Sequence, residues 1–492
     1  MFLRVGIEDV KVSLKDTGTI LMYSGLCFFV PIIMSILFDK NPQTLLAYAG
    51  SALMLLMLGY GMRTLIIVKK ETEIKHAMLS IVLIWLIFCF FASLPFVFIM
   101  KVGLLDAFFE TMSTLTTTGL SVMTPILDSM PASLIFWRTF LGWVGGIGIV
   151  LMAFIGLMAT YSKTSKLLLA EGRGTQLKEN LRGSAKKIAY IYIILTIVGI
   201  ILLLLAGQSP WEATNYSMSA ISTNGMDISA AGLASVSNGW APVGLHNYWV
   251  DLALIVIMIL GAMSFALHYA WMRKKDFRIV ARDPEFRALI FLGAIGATIV
   301  GIKLGAMEGL FHSFSALTCG GFSFIPPLAV SGWADFVKII LIPLMIIGGA
   351  AGSTAGGIKL SRFIIFVKSL YWKIKSSVLP EKAYFRKKYN GENVTEKQVK
   401  DISLFILLWF VFLLIGTIVL VGYGNDLGNS FFEVSSAQSN AGITTGITHE
   451  TMPVGVEVML IINMFVGRLE IIPLLASIGI LLSIKDRKRK KR

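Results

Sequence analysis

The chain has 492 residues, 55% of them hydrophobic and only 15% charged, with a formal net charge of +15. Such a composition is too apolar for ordinary soluble domains and describes a polytopic membrane protein. The basic excess does not form a nucleic-acid surface, because 36 of the 44 Lys and Arg fall in the first 16 residues, in the connections 69–75, 161–187, 273–287 and 362–400, and in the tail from Lys485.

Residues 1–16 mix charges with isolated apolar positions and offer no apolar core or cleavage site of a secretory signal. Apolar runs at 18–38 and 44–68 predict a first pair of spans, since about 20 apolar residues suffice to cross hydrocarbon. A span at 77–100 is followed by a short amphipathic helix at 107–117 within FETMSTLTTTG (109–119), and then by a span at 132–159 that carries WVGGIGIV (143–150). The pattern recurs with spans at 188–206 and 247–272 around a short helix at 212–223 within NYSMSAISTNG (215–225). It recurs again with spans at 287–304 and 335–372 around 309–319 within FHSFSALTCGG (311–321). A last copy has spans at 401–422 and 454–484 around 430–440 within FEVSSAQSNAG (432–442). The ten spans put every basic segment on one side, which the positive-inside rule makes cytoplasmic, with both termini there. The tail KDRKRKKR then stays at the lipid surface as an anchor.

The four segments match by position. Six residues before Gly119, Gly225, Gly321 and Gly442 stands Ser113, Ser219, Ser315 or Ser436, and three before stands Thr116, Ser222, Thr318 or Ser439. A single copy is explained by close helix packing, which favours Ser, Thr and Gly, but four aligned copies favour a pore. Non-helical backbone at membrane depth must face protein or water. A cation stripped of water needs oxygen ligands, and four sets of backbone carbonyls supply them without net charge. Glycine permits the positive φ that turns successive carbonyls inward. The candidate ligands are therefore the carbonyls of Thr117, Thr118 and Gly119, of Thr223, Asn224 and Gly225, of Cys319, Gly320 and Gly321, and of Asn440, Ala441 and Gly442. The short helices would aim their negative C-terminal ends at the ion. Nine before the glycine stand Glu110, Tyr216, His312 and Glu433, where a structural bond and cation attraction are both open readings. Asp227 is either a cation-concentrating residue at the outer mouth or a solvated loop residue.

Within the 335–372 span, IIGGAAGSTAGGIK (346–359) is a poor helix. It is expected to break the span into halves joined by an intramembrane loop below the filter, with Gly348, Gly349, Gly352, Ser353, Thr354, Gly356 and Gly357 as gating residues. A close packing surface is the competing reading, while a phosphate loop is discounted because Ile358 stands where that pattern requires Lys. Arg468 in MFVGRLE is costly inside a span unless it meets partners or water. It is read as a second gating element that repels cations or bonds loop carbonyls, against an ion pair with Glu470 or another acid that locks helices. Arg138 and Lys303 pose the same problem more mildly, because both could snorkel toward an interface. Cys27, Cys89 and Cys319 share no metal-ligand spacing and the five His form no metal motif, so neither catalysis nor a disulfide framework has support. The chain is expected not to be an enzyme.

The four segments, WVGGIGIV, the GGAAGSTAGGIK loop and MFVGRLE together resemble the TrkH subunit of Trk potassium uptake systems, in the superfamily that includes Ktr and plant HKT transporters. The resemblance covers essentially the whole chain, and the extra pair of spans at 18–68 favours the Trk branch over Ktr. It implies an all-α membrane protein of ten transmembrane helices, with four pseudo-repeats of helix, pore loop and helix around a central pore. It divides the chain into an N-terminal hairpin (1–75), four pore repeats (76–160, 161–272, 273–375 and 376–492) and, within the third, the intramembrane loop. It further implies potassium as the ion, since all four filter positions are glycine, and a homodimer in the cell inner membrane docked on cytosolic TrkA-type nucleotide-binding subunits. The loop departs from the commoner GGCAGSTGGG form at Ala350 and Ala355. A proton- or sodium-coupled secondary transporter is the main alternative, because broken helices and repeats also occur there.

Overall fold

The computed structural model describes residues 6–68, 70, 72–148, 174–235, 247–323, 330–380, 386–469, 471 and 473–480. Long helices at Ile7–Ser24 (continued in helical turns to Asp39), Pro42–Leu65, Ile74–Met100, Gly174–Leu205, Pro284–Leu304 and Glu396–Gly422 alternate with short ones. The short helices are Leu104–Leu115, Pro210–Ile221, Ala306–Leu317 and Leu427–Ser439. Among the described residues six helices are long and apolar enough to cross a membrane, or up to eight if two sharply bent pairs count as one span each. The segment expected at 132–159 is helical over 132–148, the remainder lying outside the described residues, and the one expected at 335–372 is two helices, Asp335–Ile347 and Leu360–Val378.

Helix starts follow capping chemistry. Asn41, Asp283 and Ser209 each precede a proline at the first helical position, and their side chains accept from the amides of Gln43, Phe286 and Glu212. Asp426 and Thr395 cap Leu427–Ser439 and Glu396–Gly422 in the same way, without the proline.

The chain divides into two compact units. The first comprises Met1–Met112, Val122–Leu141 and Leu469–Arg492. Its first two helices cross backbone to backbone: a Cβ on Gly18 would lie 2.7 Å from Gly59 O, and one on Gly59 2.9 Å from Gly18 O, as small residues allow in apolar surroundings. Trp137 packs on Phe28 and Tyr48 and donates to Ala92 O at 3.1 Å. Arg138 does not snorkel. It is 1% exposed, and its Nε and Nη2 donate to Glu110 Oε1 at 2.8 and 2.6 Å, because a guanidinium drawn this deep is tolerated only beside a carboxylate. Lys303 is exposed.

The second unit comprises Ser113–Ser121 and Gly142–Arg468 and contains the glycine ends of all four segments, the interrupted helix and Arg468. Its apolar core is built around Tyr192, Leu254, Met258, Phe311 and Phe322. A two-stranded hairpin, Lys388–Tyr389 with Glu392–Asn393, is also part of it. The turn residues Asn390 and Gly391 have φ of 45° and 83°, the twist that suits a two-residue hairpin connection.

Candidate functional site: the four glycine segments and the loop

Each short helix ends in the same way. The residue two before the glycine is left-handed in every copy: φ is 54° at Thr117, 54° at Thr223, 55° at Cys319 and 54° at Asn440. From those residues the amides donate to Thr114, Ala220, Ala316 and Ala437 carbonyls at 2.9, 3.1, 3.1 and 3.2 Å. The following amides, of Thr118, Asn224, Gly320 and Ala441, reach back to Ser113, Ser219, Ser315 and Ser436 carbonyls at 2.7, 2.8, 2.7 and 2.8 Å. This bond pair is a Schellman cap. It ends each helix one or two residues earlier than the sequence pattern places it. The repeated Ser and Thr stand where these caps form: Ser222 and Thr318 hydroxyls donate to Met218 O and Phe314 O at 2.7 and 2.6 Å, and Ser439 donates to Ser435 O.

After the cap comes a second left-handed position, with φ of 94° at Gly119, 67° at Gly225, 75° at Gly321 and 85° at Gly442. Alternation of left-handed with ordinary residues turns carbonyls of one segment to a common side. The four segments contact one another in cyclic order. A Cβ on Gly225 would lie 2.6 Å from Gly320 O, and one on Gly321 2.6 Å from Ala441 O. One on Gly442 would overlap Thr118 O, and one on Gly119 would overlap Asn224 O, which closes the circle. Thr118, Gly119, Asn224, Gly225, Gly320, Gly321, Ala441 and Gly442 are therefore brought into one ring of contacts. The alanine at 441 and the second glycine at 320 hold the same place as Thr118 and Asn224.

The residues nine before the glycines tie each short helix to the strand of chain that leaves the ring. Glu433 accepts from Thr445 N at 2.8 Å, Thr444 Oγ1 at 2.7 Å and Thr448 Oγ1 at 2.5 Å. Glu110 accepts from Val122 N at 3.2 Å, and His312 Nε2 meets Ser323 Oγ at 3.1 Å. Tyr216 meets the backbone of Ile228. Of the two open readings, the structural bond is the one observed. Asp227 is half-buried.

Behind the ring, glycines of later helices admit carbonyls from the short-helix ends. Cβ atoms on Gly145, Gly261 and Gly467 would overlap or crowd Leu115 O, Ile221 O and Gln438 O. Those contacts account for the first glycine of WVGGIGIV and for the glycine of MFVGRLE. Cys319 is buried with its thiol 3.7 Å from Met345 O, a packing role.

The helix interruption runs from Gly348 to Lys359, with positive φ at Gly348, Gly352, Gly357 and Lys359. Its polar groups are satisfied against the ring's supports. Thr354 Oγ1 donates to Ile221 O and Gly261 O, both at 2.9 Å, and Gly357 N donates to Ser439 O at 2.9 Å. Ala350 N donates to Ala262 O at 2.9 Å, and Ser353 Oγ to Ala350 O at 2.6 Å. The helix Tyr248–Ala262 meets Phe265–Lys274 at a 98° bend here, where Phe265 N donates to Gly352 O at 3.0 Å. A Cβ on Gly356 would overlap Ser439 O, and one on Gly349 would lie 2.5 Å from Ala355 Cβ, so the small residues serve close packing as well as chain reversal.

A family model described as TrkH, cation transport protein, matches residues 57–303 and 301–485. The chain belongs to the TrkH family. It is 30% identical over 476 residues to an uncharacterized cation transporter of Methanocaldococcus jannaschii, with 96% of each chain covered. It is 29% identical over 431 residues to the Trk system potassium uptake protein TrkH of Vibrio parahaemolyticus, covering 83% of this chain and 86% of that one. The crystal structure of the potassium transporter TrkH from Vibrio parahaemolyticus matches with a TM-score of 0.81 at 26% identity, over 94% of this chain and 97% of that one. As a member of this family the chain is a multi-pass membrane cation transporter and not an enzyme.

In this TrkH-family chain Arg468 is 3% exposed, and its Nη1 and Nη2 donate to Thr354 O at 2.8 Å and Gly145 O at 3.3 Å. Of its two expected partners, loop carbonyls are present; Glu470 lies outside the described residues. Sequence reasoning missed the left-handed Thr117, Thr223, Cys319 and Asn440, which carry no glycine to signal them. It also missed Asn440 Nδ2, which donates to Thr118 Oγ1 and Met464 O at 2.9 Å and links the fourth segment to the first.

Proposed function

We propose that this chain takes up potassium across the cytoplasmic membrane through a channel-like pore whose selectivity filter is the ring of four glycine segments. The observation that carries the reading is the cyclic packing of Gly119, Gly225, Gly321 and Gly442 against Asn224, Gly320, Ala441 and Thr118 carbonyls. Four segments that alternate left-handed and ordinary residues present peptide oxygens to a shared axis, and those oxygens replace the hydration shell of a monovalent cation. The C-terminal ends of the four short helices add negative partial charge beside it. The Vibrio parahaemolyticus relative is a potassium uptake protein, and glycine at all four positions leaves the lumen to backbone alone.

Potassium here is cargo. It moves down its electrochemical gradient, which at about 100 mV supplies about 2.3 kcal/mol per charge. Below the filter, the loop 348–357 serves as the gate, held shut by the Arg468 guanidinium on Thr354 O. Ten spans place both termini and the basic connections in the cytoplasm of the cell inner membrane. Two copies assemble as a homodimer on a ring of cytosolic TrkA-type nucleotide-binding subunits.

The test is tracer flux in proteoliposomes of purified protein with potassium, rubidium or sodium as the only monovalent cation. Potassium and rubidium should enter and sodium should not. Equal entry of sodium, or entry that depends on an imposed proton or sodium gradient, refutes the passive selective pore.

A further inference from the structure

The four joints of the ring are not alike. Where the first segment meets the second, the second the third and the third the fourth, no side-chain hydrogen bond of a corner or middle residue crosses the joint. Thr223 Oγ1 donates to Ser222 O of its own segment at 2.7 Å, and the Cys319 thiol lies 3.7 Å from Met345 O behind its segment. The buried Thr117 hydroxyl and Asn224 amide have no hydrogen-bond partner among the described residues, and Gly320 and Ala441 carry no polar side chain. The joint between the fourth segment and the first differs. There Asn440 Nδ2 donates to Thr118 Oγ1 at 2.9 Å, across 322 positions of sequence. Consecutive segments are held near one another by the chain that joins them, whereas this joint closes a linear chain into a ring and has no such tether.

A second bond fixes the direction of the first. Asn440 Nδ2 also donates to Met464 O at 2.9 Å, an acceptor that only the NH2 end of the amide can meet, so both of its protons are used. Thr118 Oγ1, having accepted from Asn440, gives its own proton to Thr116 Oγ1 at 2.8 Å, and Thr116 Oγ1 donates on to Ser113 O at 3.4 Å. Ser113 O already accepts from Thr118 N at 2.7 Å in the cap of the first short helix. One run of hydrogen bonds thus leads from the last helix, through the fourth corner, to the end of the first short helix. Every member is buried, so a group that lost its partner here would find no water to replace it. Asparagine also suits the corner itself, since its φ of 54° is one that few other side chains adopt readily.

We propose that Asn440 is a positioning residue for ion discrimination: its side-chain amide clasps the fourth segment to the first and to the last helix, so that the ring neither tightens nor gapes at its seam. The inference rests on the reading of the ring as a potassium filter. A filter that yields at one joint lets its carbonyls close around a smaller ion, whereas a clasped one keeps the spacing that suits potassium. The clasp acts through the backbone it holds and does not touch the ion.

The test is the ratio of rubidium to sodium tracer flux in proteoliposomes of the full-length protein. Thr118→Val keeps the side-chain shape and the carbonyl but removes the acceptor. Asn440→Gly removes the clasp and keeps the left-handed corner, because glycine adopts positive φ freely. Each should lower the ratio about fivefold, the factor matching loss of one neutral hydrogen bond. Together they should lower it no further than Asn440→Gly alone, since both cut one link. Thr118→Ser restores the hydroxyl and should recover most of the ratio that Thr118→Val loses. Loss of folded protein lowers both fluxes alike and leaves their ratio unmoved, and the Thr118 pair decides alone if Asn440→Gly does not fold. An unchanged ratio in Thr118→Val, a double variant whose loss is the product of the two single losses, or a Thr118→Ser protein no better than Thr118→Val overturns the clasp. Wild-type protein that passes sodium as readily as rubidium refutes instead the filter on which the clasp rests.

Discussion

Gly225→Ser tests the ring at a contact made wholly of main chain. The added Cβ would lie 2.6 Å from Gly320 O, 2.6 Å from Gly321 Cα and 2.7 Å from Gly321 C, where separations under 3.0 Å are essentially never tolerated. All three atoms are main chain, so no side chain can swing away. The third segment must retreat by at least 3.0 − 2.6 = 0.4 Å, or the serine must leave its φ of 67°. Holding a non-glycine residue left-handed costs about 1–2 kcal/mol, a factor of about 5–30 in the population of the ordered ring. The potassium-to-sodium flux ratio in proteoliposomes should fall by that factor. Gly422→Ser is the control, because nothing lies within 4 Å of a Cβ there. A Gly225→Ser protein that elutes as the wild type does and keeps its flux ratio refutes the assignment of the ring as filter. So does an equal fall in the control.

Arg468→Ala removes the guanidinium from Thr354 O and Gly145 O. With each charged hydrogen bond worth about 1.5–3 kcal/mol, basal rubidium flux should rise at least about tenfold; flux at or below wild type contradicts a closing role. Glu110→Gln leaves the Arg138 guanidinium buried without its counter-charge, at a cost of about 3–5 kcal/mol. Thermal unfolding of the detergent-purified protein should shift clearly downward, and Glu110→Gln with Arg138→Met together should recover much of the loss. Glu433→Ala removes the acceptor shared by Thr444, Thr445 and Thr448. It should lower both thermal stability and cation selectivity, whereas a residue that merely attracts cations would alter the flux rate at low salt alone.

Much of the arrangement is written in local pattern. The four Ser/Thr-to-glycine segments, the short helices before them and the break at 348–359 are readable because glycine clusters interrupt apolar runs, and backbone in hydrocarbon has few options. Less is readable where a conformation is imposed by context. Thr117, Thr223 and Cys319 are residue types that rarely turn left-handed, and only the preceding cap bonds make them do so. The Glu110–Arg138 pair joins positions 28 apart with no periodic signal, so the arginine looks like an interface residue until its partner is seen. The hairpin was open to detection through Asn390-Gly391. The dominant helical pattern around it hid a turn signal that belongs to two-residue strands. Gly145 of WVGGIGIV marks close approach, but what approaches, the Leu115 carbonyl, is a fact of tertiary packing.

The four left-handed corners are Thr117, Thr223, Cys319 and Asn440, all on a single polypeptide. In an assembly of identical subunits any codon change would alter every corner at once. Here each can be varied alone, so dose-dependent loss of discrimination can be built up from one altered quadrant to four. Such a series offers a quantitative means of asking how many intact quadrants an ion needs to pass.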